Sequence, residues 1–444
     1  MHMRCLVTGA TGYVGGRLVP RLLARGYRVR ALARNAGKLS EVPWHDDVEV
    51  VRGDLSVPES LTAAFDGVDV VYYLVHSMGS SPNFAAEERR SAKNVVAAAR
   101  RVGVRRLVYL SGLHPGGVPL SPHLESRTAV GDILLSSGIE TIVLQAGVII
   151  GSGSASFEMI RHLTDRLPAM TTPKWVHNKI QPIAVRDVLH YLIAAATAEV
   201  ATSRTWDIGG PDVLEYGEMM QIYAQIAGLR RRFIIVLPFL TPTIASWWVG
   251  LVTPIPSGLA RPLVESLHCN AVMAEHDIDD VIAPPSGGLT SYPKAVMLAL
   301  ERIANGQVET SWTVAEPSDP LPSDPLWAGE IAYTNSGSQW TPATPDQLWN
   351  VIDSEPVRNG WRVETCEDGE LLRLRSQVVK PGTTWLEMSV SAISGPGSLY
   401  QQRAIFYPQG ITGRIYWYGT LPLHRRWFGQ TFRQIVDRAR ATYG

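Results

Sequence analysis

The sequence predicts an α/β protein, a doubly wound parallel sheet with a substrate lobe, followed by a smaller α+β domain. Up to residue 314, short β-branched runs alternate with longer helical stretches, the pattern of repeated βαβ units. Residues 315–326, AEPSDPLPSDPL, set four prolines among serine and aspartate, so the segment cannot pack a core and reads as an extended linker. From 327 to 444 the texture shifts to runs rich in tryptophan, tyrosine and β-branched residues separated by turn formers, which predicts an antiparallel sheet.

In chain order, strands are expected over Cys5–Thr8, Arg28–Ala33, Val48–Arg52, Val68–Leu74, Leu107–Ser111 and Thr141–Leu144, with helices such as Gly15–Ala24 and Glu87–Arg101 between them. These strands are apolar on both faces, as strands covered by helices on each side must be. The substrate lobe falls within about 151–310. Past the linker, strands are expected at Trp327–Thr334, Trp361–Glu364, Leu371–Ser376, Thr384–Ile393, Tyr400–Tyr407 and Arg414–Gly419. A short helix is expected at Pro345–Ile352. A long one over His424–Tyr443 places Phe428, Phe432, Ile435, Val436 and Ala439 on one face.

Composition bounds the function. At 444 residues the chain exceeds one ordinary core, and 45% apolar against 18% charged residues is a globular balance. Lysine plus arginine (41) equals aspartate plus glutamate (41), so no global field draws a phosphate backbone and nucleic acid is not an expected partner. Cys5, Cys269 and Cys366 lie far apart, which argues against a disulfide framework or a thiolate metal site; no metal is expected. With no signal-peptide pattern, a cytoplasmic location follows. From Phe233 to Ala260 there is no charged residue, but prolines 238, 242, 254 and 256 break any membrane-spanning helix. An apolar surface or lobe is the leading reading for 233–260, with peripheral membrane contact and, least favoured, a spanning helix as the alternatives.

The most informative motif follows the first strand. Thr8-Gly9-Ala10-Thr11-Gly12-Tyr13-Val14-Gly15-Gly16 opens directly into a helix. Gly9 permits the tight turn, Gly12 lets the backbone approach a pyrophosphate, and Gly15 lets helix and strand pack closely, while N–H groups at the helix start face the anion. A dinucleotide is the expected ligand. The second strand ends at Arg34, where an NAD-selective site places an acid against the ribose; a guanidinium there, with Lys38, pairs with a 2′-phosphate, so NADP(H) is the expected cofactor. A solvated basic turn is the plain alternative. After the third strand, Asp54 and Leu55 either meet the adenine or begin the next helix.

These motifs resemble the short-chain dehydrogenase/reductase superfamily, a Rossmann fold, and within it the atypical members similar to nitrogen-regulation NADP sensors and to an accessory subunit of respiratory complex I. The further carriers are Tyr109-Leu110-Ser111-Gly112, Gly147-Val148-Ile149-Ile150-Gly151, Gln181-Pro182-Ile183 with Asp187-Val188, and Ile208-Gly209-Gly210-Pro211. The resemblance implies that the C-terminal sheet edge holds the nicotinamide, which makes Leu74 and His76, after the fourth strand, cofactor neighbours; a structural role for His76 is the alternative. Active members use a YxxxK pair preceded by a serine. Aligned on Ser111, this chain has His123 for the tyrosine and Arg127 for the lysine. An imidazole already titrates near neutrality, so His123 is a candidate acid/base, Ser111 a substrate-orienting hydroxyl and Arg127 a charge stabiliser. Loss of catalysis is the competing reading.

The C-terminal domain resembles an uncharacterised domain fused behind such reductases, with a START-like helix-grip pattern carried by Phe406-Tyr407-Pro408, Gly413–Tyr418 and Pro422-Leu423-His424. That resemblance implies an apolar ligand; an ordinary sheet core explains the same aromatics. Three functions are therefore expected in turn. They are an NADPH-dependent oxidoreductase acting on an apolar carbonyl, enone or quinone, a non-catalytic NADP(H) sensor or assembly factor, and an apolar-ligand carrier.

Overall fold

A computed structural model describes residues 3–34, 39, 42–75, 83–237, 257–304, 333–354, 360–378, 381–392, 397–408 and 410–443. The chain divides into two compact units, Met1–Ser323 and Asp324–Gly444. The proline-rich segment 315–326 lies outside the described residues.

The first unit is built on seven parallel strands: β1 (Arg4–Thr8), β2 (Arg28–Ala33), β3 (Glu49–Arg52), β4 (Val70–Tyr73), β5 (Arg106–Gly112), β6 (Glu140–Ala146) and β7 (Arg204–Ile208). Their order across the sheet is β7-β6-β5-β4-β1-β2-β3, and every pairing is parallel. The order reverses between β1 and β4. In a doubly wound sheet that switch opens a crevice at the strands' carboxyl ends where a ligand enters. Side chains alternate across the sheet as period two requires: Cys5 and Val7 feed one core cluster and Leu6 the other. Helix α1 (Tyr13–Ala24) joins β1 to β2, α2 (Phe84–Val102) joins β4 to β5, and α3 (Pro122–Leu135) joins β5 to β6.

The described residues of 151–304 are not all outside the sheet. The chain returns to the sheet at β7, and the lobe itself is made from α4 (Ala155–Arg166), α5 (Tyr216–Ile226), α6 (Ser257–Ser266), α7 (Tyr292–Ala304) and three two-stranded ribbons. Within the uncharged stretch 233–260, Phe233–Val236 is a strand parallel to Ala169–Thr172, and 238–256 lie outside the described residues. No helix among the described residues is long and apolar enough to cross a membrane.

The second unit is an antiparallel sheet of β8 (Tyr333–Thr341), β9 (Trp361–Glu367), β10 (Leu371–Ser376), β11 (Gly382–Ala392) and β12 (Ser398–Pro408), ordered β8-β12-β11-β10-β9, with helices α8 (Pro345–Ser354) and α9 (Gly410–Tyr443). Leu372, Leu374, Leu386, Met388 and Tyr400 from the sheet pack with Leu348 and Ile352 of α8 and Ile435, Val436 and Ala439 of α9. Two expectations differ from this. The first strand lies at Tyr333–Thr341 rather than ending at Thr334, and its Gly337 leaves room for the Phe432 ring, which a Cβ would approach to 3.1 Å. Residues 414–419 are helical, not a strand. Their aromatic and β-branched content favours strand locally, but tertiary stacking decides: Trp417 stacks on Tyr333 and Phe406 at 5.3 Å each, on the same helical face as His424 and Phe428.

A strand would bury Ile415 and Trp417 together, whereas the helix leaves Ile415 64% exposed and buries Trp417. Trp417→Ala should therefore cost about 3–5 kcal/mol of unfolding free energy in urea titrations of the full chain. Ile415→Ala should change it by less than about 0.5 kcal/mol. Comparable losses at both positions would contradict the helix.

Candidate functional site

The loop from β1 to α1 is shaped by the absence of side chains. Gly9 sits at φ +73°, where a Cβ would also stand 3.0 Å from the Leu74 carbonyl oxygen. A Cβ on Gly15 would run into the Gly9 carbonyl, so the loop and the helix's first turn can close only with glycine at both places. Thr8 Oγ1 donates to the Tyr72 carbonyl (3.0 Å) and accepts from Leu74 N (3.1 Å), bolting the tip of β1 to that of β4. Gly12 is the extended N-cap of α1; no side chain caps the turn and no acid lies in it. A helix start with uncapped N–H groups and positive dipole end, over a floor a Cβ would fill, fits the diphosphate of a dinucleotide. Thr11, Tyr13 and Val14 complete this rim, and Tyr13 and Val14 line the adjoining cleft.

At the far edge, Leu55 is buried and its carbonyl accepts from Asn94 Nδ2 at 2.8 Å. Burial alone would raise the Asp54 carboxyl, but hydrogen bonds from the Ser56 N–H and hydroxyl (both 2.8 Å), with Arg34 and Arg90 nearby, hold it below the ordinary carboxylate range. Asp54 thus stabilises the turn after β3. Arg34 stands exposed at the end of β2, with its charge at this edge.

The third group is built by α3. Ser121 caps the helix, its Oγ accepting from Leu124 N at 3.3 Å, and Pro122 takes the first helical position, where it forfeits no bond. His123 and Arg127 then lie one turn apart on one face, and both line a cleft of about 260 Å³ together with Gly9, Gly12, Leu74 and Ser111. Arg127 is anchored by Nη2 donating to the Leu110 carbonyl (2.7 Å), and its buried Nε has no hydrogen-bond partner among the described residues. Ser111 Oγ is buried at the end of β5 beside Tyr109, whose phenol is pushed up by burial against the opposing influence of Arg127 and Ser111. Burial, and then the Arg127 charge, lower His123 to about 3. The imidazole is therefore neutral at physiological pH. In this state it presents a neutral ring to the cleft.

Residues 9–147 match a family model described as NAD(P)H-binding, and residues 327–431 match one described as a protein of unknown function, DUF2867. The triphenylmethane reductase of Citrobacter sp., solved with NADP(H), superimposes with a TM-score of 0.53 at 22% identity, covering 67% of this chain and all of that one, a likeness of fold. The N-terminal unit has a Rossmann-type fold, and its residues 9–147 are those of an NAD(P)H-binding domain. A 3β-hydroxysteroid dehydrogenase/Δ5→4-isomerase of Mycobacterium tuberculosis is 36% identical over 118 residues, 24% of this chain and 31% of that protein. The photosystem II assembly factor Ycf39 of Synechocystis sp. is 25% identical over 224 residues, 49% of this chain and 68% of that one. This chain spans about a third of the length of the first curated relatives it matches.

In this Rossmann domain the sequence-derived site residues Ser111, His123, Arg127, Gly9, Gly12, Tyr13, Val14, Gly15 and Leu74 share one cleft, whereas Arg34, Asp54 and Leu55 lie outside its lining. His76 and Lys38 fall outside the described residues. Sequence reasoning passed over Arg17. Its side chain is fully buried, donating to the Ser152 carbonyl (2.8 Å) and the Tyr13 carbonyl (3.3 Å), with the guanidinium 4.1 Å from the Tyr13 ring centre. It ties the start of α1 to the turn before α4; the only local signal is a charge set among small and apolar residues of α1. Tyr216, from the lobe, was also missed and has no local signal at all.

The depressed His123 pKa has a consequence for stability. The unfolded imidazole titrates near ~6.5 and the folded one near about 3, so between these values the unfolded chain binds a proton that the native state refuses. Its contribution is full above the upper value and is lost as pH falls. Melting temperatures of wild type and His123→Gln should therefore converge on acidification, the variant declining less steeply below about pH 6.5. Parallel profiles would show that His123 is not held neutral.

Proposed function

We propose that the chain is an NADPH-dependent oxidoreductase of atypical short-chain type that reduces an apolar carbonyl, enone or quinone. One observation carries this reading. A single cleft joins the anion-ready glycine loop, the Ser111–His123–Arg127 group and an apolar wall that includes Met159, Ile180, Leu263 and Leu267 of the lobe. Arg127 is the one formally charged side chain in that lining, and none of the described lining residues is a carboxylate. Such a cleft favours negative charge developing on a substrate oxygen. The steroid dehydrogenase likeness supports an apolar substrate, and Arg34 supports the 2′-phosphate form of the cofactor.

When bound, the cofactor supplies the hydride. Ser111 Oγ donates to the substrate oxygen, Arg127 stabilises the charge that gathers on it, and neutral His123 orients a water that gives its proton to that oxygen, the hydroxide left behind being reprotonated from solvent. Removing one such donor typically costs 10²–10³ in turnover.

The second reading is a non-catalytic NADP(H) sensor or assembly factor. Histidine at the tyrosine position, with its pKa far below neutrality, and the likeness to the assembly factor of Synechocystis favour it. A third, an apolar-ligand carrier, draws on the second unit, whose long helix against an antiparallel sheet agrees with the START-like likeness.

Titration of nicotinamide fluorescence and NADPH consumption over a panel of enones and quinones separate these. Arg34→Asp should weaken NADPH much more than NADH; equal losses defeat the phosphate assignment. His123→Ala should lower turnover about 10²-fold while leaving NADPH affinity nearly unchanged. Tight NADPH binding with no turnover on any acceptor selects the sensor.

A further inference from the structure

Tyr216 is the first residue of α5, placed there by a capping box in which Glu215 N donates to the Glu218 carboxylate at 2.7 Å. Its side chain is fully buried and lines the cleft from the lobe side. The ring is fixed edge-on against Trp175, centres 5.5 Å apart. Neighbouring buried tyrosines have their hydroxyls occupied: Tyr292 Oη donates to the Met219 carbonyl (3.0 Å) and Tyr223 Oη to Asp165 (3.0 Å). Tyr216 Oη has no hydrogen-bond partner among the described residues. Burial also pushes this phenol up, so it stays a proton-bearing donor at any working pH.

A buried hydroxyl left unpaired is costly, and a pocket that satisfies it only when ligand is present discriminates by that cost. We propose that Tyr216 is a specificity-determining residue that donates a hydrogen bond to a second oxygen of the substrate, remote from the one that reacts. The substrate class is thereby narrowed. It is an apolar skeleton with two acceptor oxygens, one for the Ser111 end of the cleft and one for the lobe end, separated by the apolar surface of Ile180, Leu263 and Leu267. The assignment of ends rests on the oxidoreductase reading, while the requirement for an acceptor at Tyr216 holds for any ligand of the cleft.

The test pairs a decalindione with the decalone that lacks its second oxygen, against wild type and Tyr216→Phe of the full chain, each saturated with NADPH. Calorimetry reads binding and NADPH consumption reads turnover. Wild type should prefer the dione by about tenfold or more in both, and Tyr216→Phe should bring the ratio close to one with NADPH affinity unchanged. Because the lost hydroxyl is unpartnered without ligand, the variant's melting temperature should be equal to or above that of wild type, which also verifies its fold. A wild-type ratio near one, or a preference that survives in Tyr216→Phe, overturns the proposal. A wild-type binding preference that Tyr216→Phe abolishes, with no turnover on the dione or any other acceptor, would instead sink the oxidoreductase reading and leave Tyr216's role standing.

Discussion

The structure depends on the contact between the backbone of Gly15 and the carbonyl of Gly9. It lets the first turn of α1 press against the loop that precedes it, so the helix start stands in the crevice between β1 and β4. Since the obstacle to a Cβ is backbone and not a flexible side chain, no rotamer change could relieve a substitution there. Two further devices act on the same place: Thr8 closes the strand tips beneath the loop, and Arg17 draws the turn at Ser152 onto the helix from outside. Arg17 finds main-chain carbonyls and an aromatic face, which serve a buried guanidinium without adding an anion beside a phosphate site.

The same economy of negative charge runs through the cleft. Here a fixed cation stands one helical turn from an imidazole that burial keeps neutral. The pair cannot exchange a proton cheaply, because the guanidinium does not release one and the imidazole does not readily accept one. Polarity in the cleft is thus supplied mainly by hydrogen-bond donors set among apolar side chains, where each is worth more than in water.

Much of this was legible in the sequence, and the reasons are specific. The strand from Arg28 to Ala33 was read to the residue although Arg30 interrupts it, and β1 and β4–β6 within a few residues, because parallel strands buried on both faces carry largely apolar runs ended by turn formers. The glycine loop was legible because each glycine answers a local steric demand. The position of His123 and Arg127 on one helical face followed from their spacing of four. Burial was not legible: nothing in Pro122–Arg127 says that the imidazole is 7% exposed, and it is burial that lowers its pKa. Residues 414–419 were misread because their composition satisfies a strand while their partners, Tyr333 and Phe406, are brought close only by the fold. Tyr216 was invisible for the same reason, its neighbours in the cleft being up to about two hundred residues away along the chain.

Gln181 and Asp187, which carry part of the resemblance, and Asp207 are each engaged in holding main chain far along the sequence. Gln181 donates to the Gly210 carbonyl (2.8 Å) and accepts from Met273 N (3.0 Å), while Asp187, fully buried, accepts from the N–H (2.7 Å) and hydroxyl (3.2 Å) of Thr290. Asp207 likewise accepts from Ala274 N at 2.8 Å. Each is a side chain spent on the main chain of a segment 29 to 103 residues distant, where the backbone is irregular and has no ladder to satisfy it. These staples fix the lobe wall against the sheet before any ligand arrives. A wall held in this way has little freedom to reshape itself, so the polar groups it leaves unpaired, such as the Tyr216 hydroxyl, keep fixed positions.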